Sequence, residues 1–172
     1  MDGEHAYNES VLPVLFVLFA LLGGLPGGEP VATKHLTIAT SASQEAVAPG
    51  ARVALNIDIA PKPTMHVYAP GQKDYIAVSV KLEGNAAIKP ATIQFPKPEK
   101  REVKELGETQ LVYSKPFRIV QDVTVTASPS PAAGPLTVKG AVKYQACDES
   151  ICYAPITVPV TWTVTVKKRS GR

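Results

Sequence analysis

Cys147 and Cys152 are the residues of this chain whose type and spacing point most directly to a chemistry. They stand five positions apart in YQACDESICYAP, residues 144–155, and are the only cysteines among 172 residues. Two thiols this close can exchange with the disulfide of another protein through a mixed disulfide. They can instead form a passive staple, or ligate a soft metal. A staple here has modest value, because closing a loop of about six residues constrains the unfolded chain by only ~2 kcal/mol. An inter-sheet disulfide of the immunoglobulin type joins strands far apart in sequence, and these cysteines are too near each other for that. They should close a turn between neighbouring strands near the surface, within reach of another protein. Exposed disulfides are more often labile or catalytic than buried ones. Spacing alone leaves exchange and staple both open.

The metal reading is the poorest of the three. Met65 and His66 could supply further soft ligands, but neighbours along a strand point to opposite faces, so at most one could join the cysteines. The chain has no second cysteine pair, and C-x4-C alone is a weak zinc pattern. No metal and no organic cofactor is expected. His66 reads equally as a strand-end histidine without a role, and His5 and His35 have no partner pattern.

The two sulfurs should not be equivalent. Cys147 ends the strand-like run LTVKGAVKYQA and is followed at once by Asp148 and Glu149. Negative charge beside a thiol disfavours the thiolate. Cys152 is followed by Tyr153, Ala154 and Pro155, and a proline cannot donate to a central ladder. Cys152 is therefore the expected accessible sulfur. Asp148 and Glu149 read equally well as solvated turn residues.

The elements that must position this pair are strands. In 51–60, Val53, Leu55, Ile57 and Ile59 recur with period two, and 75–82 repeats the pattern with Ile76, Val78, Val80 and Leu82. FRIVQDVTVT (117–126), LTVKGAVKYQA (136–146) and ITVPVTWTVTV (156–166) follow, rich in the Val, Ile and Thr that suit a pleated surface. Turn residues separate them, as in APG at 48–50, APGQKD at 69–74 and FPKPEK at 95–100. No extended helical periodicity follows residue 30. The pattern predicts an all-β antiparallel sandwich or barrel over about 34–166. Within it, SPSPAAGP (128–135) is a long hairpin tip, Pro159 marks an edge or bulge, and the lone Trp162 lies on a buried face with Val160 and Val164.

Composition narrows the function classes. The net charge is +3, but the acids Asp2, Glu4, Glu9 and Glu29 precede residue 31 and no Lys or Arg does, which leaves 18 bases against 11 acids, a net +7, in the remainder. Those bases are scattered rather than interleaved with aromatics, so nucleic acid is not an expected partner. Residues 11–22, VLPVLFVLFALL, span about 18 Å as a helix, short of a hydrocarbon core of about 30 Å. The run reads as the apolar segment of an export signal, despite an acidic leader and no clean cleavage site, or as a retained N-terminal anchor. The organisation expected is a signal or anchor with linker over 1–30, one domain over 31–168, and a short basic tail at 169–172.

Together these patches resemble a known family. YQACDESICYAPITVPVTWTV is similar to the signature of the N-terminal periplasmic domain of the thiol:disulfide interchange protein DsbD, with Tyr144 and Gln145 before the first cysteine and Tyr153 and Pro155 after the second. MHVYAPG at 65–71 resembles the family's aromatic strand end. KELGETQLVYSKPF at 104–117 resembles its cap-loop region ahead of a Val-Tyr strand. The resemblance covers roughly 34–166. It implies an immunoglobulin-like β-sandwich in which Cys152 meets partner sulfur and Cys147 resolves the mixed disulfide. It also implies an active-site aromatic at Tyr68 and a cap tip near Leu106, beside Glu105. Leu106 and Gly107 stand where the family carries a shielding aromatic, and the cysteine spacing is one residue shorter than in enterobacterial members. Segment 104–110 is expected as a loop close to the cysteines. The implied partners are a membrane-embedded DsbD-like electron transporter or thioredoxin-like donor, and exported disulfide-containing clients. The competing reading is a non-catalytic β-sandwich binding module with a structural disulfide.

Overall fold

The computed structural model describes residues 28–104, 107–127 and 129–169; the apolar run 11–22, Glu105, Leu106 and tail residues 170–172 lie outside them. The described chain forms strands and no helix. In order these are β1 (Val31–Ala32), β2 (Leu36–Ala42), β3 (Ala46–Val47), β4 (Arg52–Pro61), β5 (His66–Tyr68), β6 (Ser79–Leu82), β7 (Ile88–Gln94), β8 (Glu99–Val103), β9 (Glu108–Tyr113), β10 (Phe117–Val125), β11 (Gly134–Tyr144), β12 (Ala146–Cys147) and β13 (Ile156–Val166). Three sheets result, ordered β1-β2-β4-β10-β7, β3-β13-β11-β6 and β12-β5-β9-β8. Their strand ladders are antiparallel apart from the two-residue parallel contact of β3 with β13. The architecture is an immunoglobulin-like β-sandwich.

Period-two alternation builds the core. Along β13, Val158, Val160, Trp162, Val164 and Val166 are buried while the residues between them are exposed. They face Leu36, Ile38, Leu55, Ile57 and Ile119 of the first sheet. Each such side chain contributes about 1.5–3 kcal/mol when fully buried. Trp162 is fully buried and its indole Nε1 donates to the Asn56 carbonyl at 2.9 Å, which fastens the second sheet to the first. Thr40 Oγ1 adds a second tie, donating to the Thr161 carbonyl at 2.7 Å. Pro159 sits opposite Ala141 of β11, and among the described residues no strand pairs with its other side, where a proline's missing N–H leaves no ladder bond unmade.

Three expectations need correction. Residues 75–82 are not one strand: only Ser79–Leu82 is extended in a ladder, and Ile76 is 39% exposed. The preceding stretch bends because Tyr75 turns onto Tyr68 and the Ile76 N–H is held by the Gln145 side chain. SPSPAAGP is not a hairpin tip but a connection between sheets. Both sides of β10 are already occupied, by β4 and β7, so β11 cannot pair with it and joins β13 and β6 instead. Finally, 104–110 is not all loop. The β8–β9 ladder runs from Glu99↔Val112 to Val103↔Glu108, so residues 108–110 are strand.

One close approach depends on a glycine. A Cβ on Gly140 would lie 2.8 Å from the Lys81 carbonyl and 3.3 Å from Trp162 Cζ3. Gly140→Ala must push β6 away or displace the indole, and should destabilise by about 1–3 kcal/mol. A lowered urea midpoint followed by Trp162 fluorescence, with unchanged slope, is the expected result. An unchanged midpoint would show that β6 yields at no cost.

Candidate functional site

The site begins where β11 runs out of the main sandwich. Gln145 breaks the strand, and the next two residues pair with a different sheet: Ala146 opposes Val67 and Cys147 opposes His66. β5 owes its position to a tight turn before it, closed by Met65 N–H donating to the Lys62 carbonyl at 3.0 Å. Pro63 suits the second position of that turn, and Thr64 adopts φ of 67° at the third, where glycine is the usual residue. Gln145 works as a latch. Its side-chain oxygen accepts from Ile76 N–H at 3.1 Å, and its Nε2 donates to the Tyr153 carbonyl at 3.2 Å.

Cys147 and Cys152 form a disulfide across a narrow hairpin, with Cα atoms 4.0 Å apart. The flanking bonds are Asp148 N–H to the Ile151 carbonyl (3.0 Å) and Tyr153 N–H to the Ala146 carbonyl (2.9 Å). The cysteines are thus a non-hydrogen-bonded cross-strand pair, the register that brings opposing side chains closest. The turn is held by Asp148, whose Oδ1 accepts from the N–H groups of Ser150 (2.7 Å) and Ile151 (2.8 Å). Its Oδ2 accepts from the Tyr153 hydroxyl at 2.7 Å. Those donors, the backbone ones foremost, hold its carboxyl down to about 2.

The sulfurs differ in environment. Cys147 is 2% exposed and packs with Tyr68 and Val112, whereas Cys152 is exposed beside the exposed Ile151. The Tyr68 hydroxyl lies 3.3 Å from Cys147 Sγ and 3.5 Å from Cys152 Sγ. Neither sulfur of a disulfide carries a proton, so the hydroxyl is the donor. Burial, with Tyr75 and Glu108 adding to it, pushes Tyr68 up to about 12, so it remains a donor across the physiological range. Tyr75 stacks on Tyr68 with ring centroids 4.2 Å apart and donates to Glu108 Oε1 at 3.0 Å.

Of the residues expected at the site, Cys147, Cys152, Tyr68 and Tyr153 come together. Glu105 and Leu106 lie outside the described residues; on either side of them in sequence, Arg101 and Val103 of β8 and Gln110 of β9 line the same cleft of about 150 Å³ as the cysteines. Sequence reasoning missed Tyr75, Gln110 and Arg101, and left His66 without a role. Tyr75 was hidden inside an apparent strand, and the others depend on a β8–β9 ladder that no strong alternation announces. His35 is also buried here, its ring 4.5 Å from that of Tyr153, with both nitrogens unpartnered among the described residues. Burial, with Lys34 and Lys62 nearby, lowers its pKa. Met65 does not join the cysteines, and among the described residues no group of three or more His, Cys, Asp or Glu could hold a metal.

Residues 34–163 match the family described as thiol:disulfide interchange protein DsbD, N-terminal. The chain belongs to this family. Among solved structures it is similar to the N-terminal periplasmic domain of ScsB from Proteus mirabilis. That match has 12% identity and a TM-score of 0.57, and covers 83% of this chain and 52% of that one. The chain thus spans about half the length of that structure, and at this identity the likeness speaks for the fold alone. Weaker matches are the GAE domain of yeast GGA1 (10% identity, 76% and 93% coverage, TM-score 0.42) and AggA, the major fimbrial subunit from Escherichia coli (11%, 79% and 98%, 0.36). Neither bears on the argument. No curated protein sequence matches the chain.

The Asp148 network sets a pH signature. Its folded pKa of about 2 lies below the ~3.9 of an unfolded aspartate, so its support of the turn is fully present above about pH 4 and is lost as pH falls through about 2. Carboxyl-carbon NMR should place the Asp148 midpoint near 2. Tyr153→Phe, which removes one donor, should raise that midpoint. A wild-type midpoint in the ordinary range would contradict the network.

Proposed function

We propose that this chain is an exported thiol–disulfide exchange domain that passes electrons between a donor and disulfide-containing client proteins. The observation that carries the reading is the asymmetry of the pair: one exposed sulfur, Cys152, bonded to one buried sulfur, Cys147, on a hairpin at the edge of the sandwich. Membership of a thiol:disulfide interchange family supports it. The periplasmic origin of the solved relative and the apolar segment at 11–22 support export.

In the forward step the Cys152 thiolate attacks a client disulfide and expels one client sulfur as thiolate. Cys147 then attacks Cys152 Sγ, which releases the second client thiolate and closes the intramolecular disulfide. A membrane-embedded transporter of the DsbD type or a thioredoxin-like protein restores the dithiol by the reverse chemistry. Every step is sulfur exchanging for sulfur, so the chain's own thiols suffice. Burial of Cys147 protects the resolving group from reagents that lack a docking surface, while Cys152 stays reachable.

The roles can be separated by trapping. Cys147→Ala, incubated with an oxidised thioredoxin-like partner lacking its own resolving cysteine, should accumulate a mixed disulfide on a non-reducing gel. Cys152→Ala should form at least tenfold less. Preferential trapping by Cys152→Ala would reverse the assignment. Failure of both, with loss of the pair only lowering thermal stability, would leave the disulfide as a staple.

A further inference from the structure

His66 stands beside the disulfide with a proton that no described residue accepts. It is the direct cross-strand neighbour of Cys147, and directly opposed residues of antiparallel strands project onto the same face with Cβ atoms about 4.5–5.5 Å apart. Both residues are buried and both line the cleft at the disulfide. Arg101 Nη1 lies 2.8 Å from His66 Nδ1. A guanidinium can only donate, so Nδ1 accepts and the neutral ring carries its hydrogen on Nε2. That Nε2 is buried and has no partner among the described residues. A buried donor left unpaired is costly, and a native structure that keeps one invites the question of what it meets in another state.

The oxidised pair offers it no anion, but the reduction step creates one. When a donor thiolate attacks Cys152 Sγ, the Cys147–Cys152 bond breaks and its electron pair leaves on Cys147 Sγ. A buried thiolate then appears on the residue opposite His66, next to Asp148 and with Glu149 and Glu108 nearby, all unfavourable to negative charge. The Tyr68 hydroxyl, already 3.3 Å from that sulfur, is one donor to it. We propose that His66, held by Arg101 in the tautomer that carries its proton on Nε2, is the second donor, and that it stabilises Cys147 as the leaving and resolving thiolate. No proton moves to or from the imidazole in this step. The thiolate is held by two neutral donors with the Arg101 charge behind one of them, until it attacks again or takes a proton from solvent.

The electrostatics of the ring agree with that role. Burial, reinforced by the adjacent Arg101 charge and only partly opposed by Asp148, lowers the imidazole pKa to about 4. The ring therefore stays neutral wherever thiol exchange operates, and keeps Nδ1 free to accept from Arg101. The charged and titratable groups around Cys147 and His66 are Arg101 and Glu108 from the β8–β9 hairpin, Glu99 and Lys100 of β8 in the neighbouring cleft that His66 also lines, Asp148 and Glu149 from the turn, and the phenols Tyr68 and Tyr75. Among them Lys100 lines only the neighbouring cleft, whereas Arg101 is the cation bonded to the ring and lines the cleft at the disulfide. Its link to the sulfur runs through His66, so losing either residue should have the same sign of effect.

This inference rests on the exchange reading above, and the test separates the two. In a Cys152→Ser background, the ultraviolet absorbance of the Cys147 thiolate is followed against pH, which reads the buried sulfur without a reagent having to reach it. His66→Phe, which keeps a ring but loses the donor, should raise the midpoint by roughly one pH unit. Arg101→Met should raise it in the same direction. His66→Gln, which retains an amide donor, should return it part of the way and serves as the folded control if the phenylalanine variant does not fold. In the two-cysteine protein, His66→Phe should slow reduction by a thioredoxin-like dithiol about tenfold. An unchanged thiolate midpoint in folded His66→Phe, Arg101→Met and His66→Gln would overturn the role of His66 even if wild-type exchange is fast. A wild-type disulfide that no thioredoxin-like dithiol reduces would instead remove the exchange reading on which it rests.

Discussion

The pairing of two residues with two others governs this site. Ala146 and Cys147 leave the second sheet and lie antiparallel to Val67 and His66. That short ladder sets Cys147 on the face shared by His66 and Tyr68, buries its sulfur, and forces the chain to reverse at once through Asp148–Ile151. The reversal places Cys152 directly opposite Cys147 in the close-approach register and leaves it on the outside of the hairpin. Slipping the ladder by one residue would turn Cys147 to the other face and separate it from its donors.

The surroundings are arranged so that charge and donors work on different parts of the disulfide. Asp148, the acid closest in sequence to Cys147, spends its oxygens on two turn N–H groups and the Tyr153 hydroxyl. Its charge is thereby tied to the turn rather than left unsatisfied beside the sulfur. Tyr68, raised by burial and supported by its stack with Tyr75, offers a hydroxyl to both sulfurs. The same Asp148–Tyr153 bond joins the residue after each cysteine, so the hairpin remains closed above the disulfide. Opening the S–S bond need not open the turn that keeps the two thiols near each other, a condition for a thiol that must resolve its partner.

Much of the fold was legible because its core strands alternate strictly. β4, β10 and β13 bury every second residue, and Trp162 falls on the buried face with Val160 and Val164. The cysteine pair was legible for a different reason: thiols this close have few uses. What stayed hidden were features set by distant pairings. Residues 75–78 show the same alternation as a true strand, yet a hydrogen bond that Ile76 N–H donates to the Gln145 side chain and a stack on Tyr68 bend them away. The edge strand β7, mostly exposed and carrying Pro90, gives no apolar period to read. The opposition of His66 to Cys147 follows from a register across 81 positions of sequence, which no local pattern encodes. The family resemblance supplied Tyr68, but it could not supply His66, because the neighbour of a cysteine is a property of the fold.

The central claim is that the Cys147–Cys152 bond is made to be broken and remade. Its reduction potential tests that most directly, by equilibrating the domain with glutathione buffers and quantifying the reduced fraction. A passive staple in an exported protein lies below about −300 mV, whereas exchange proteins lie between about −120 and −270 mV. The account predicts a value inside the second range. A potential below about −300 mV would contradict it and make the pair a structural cross-link.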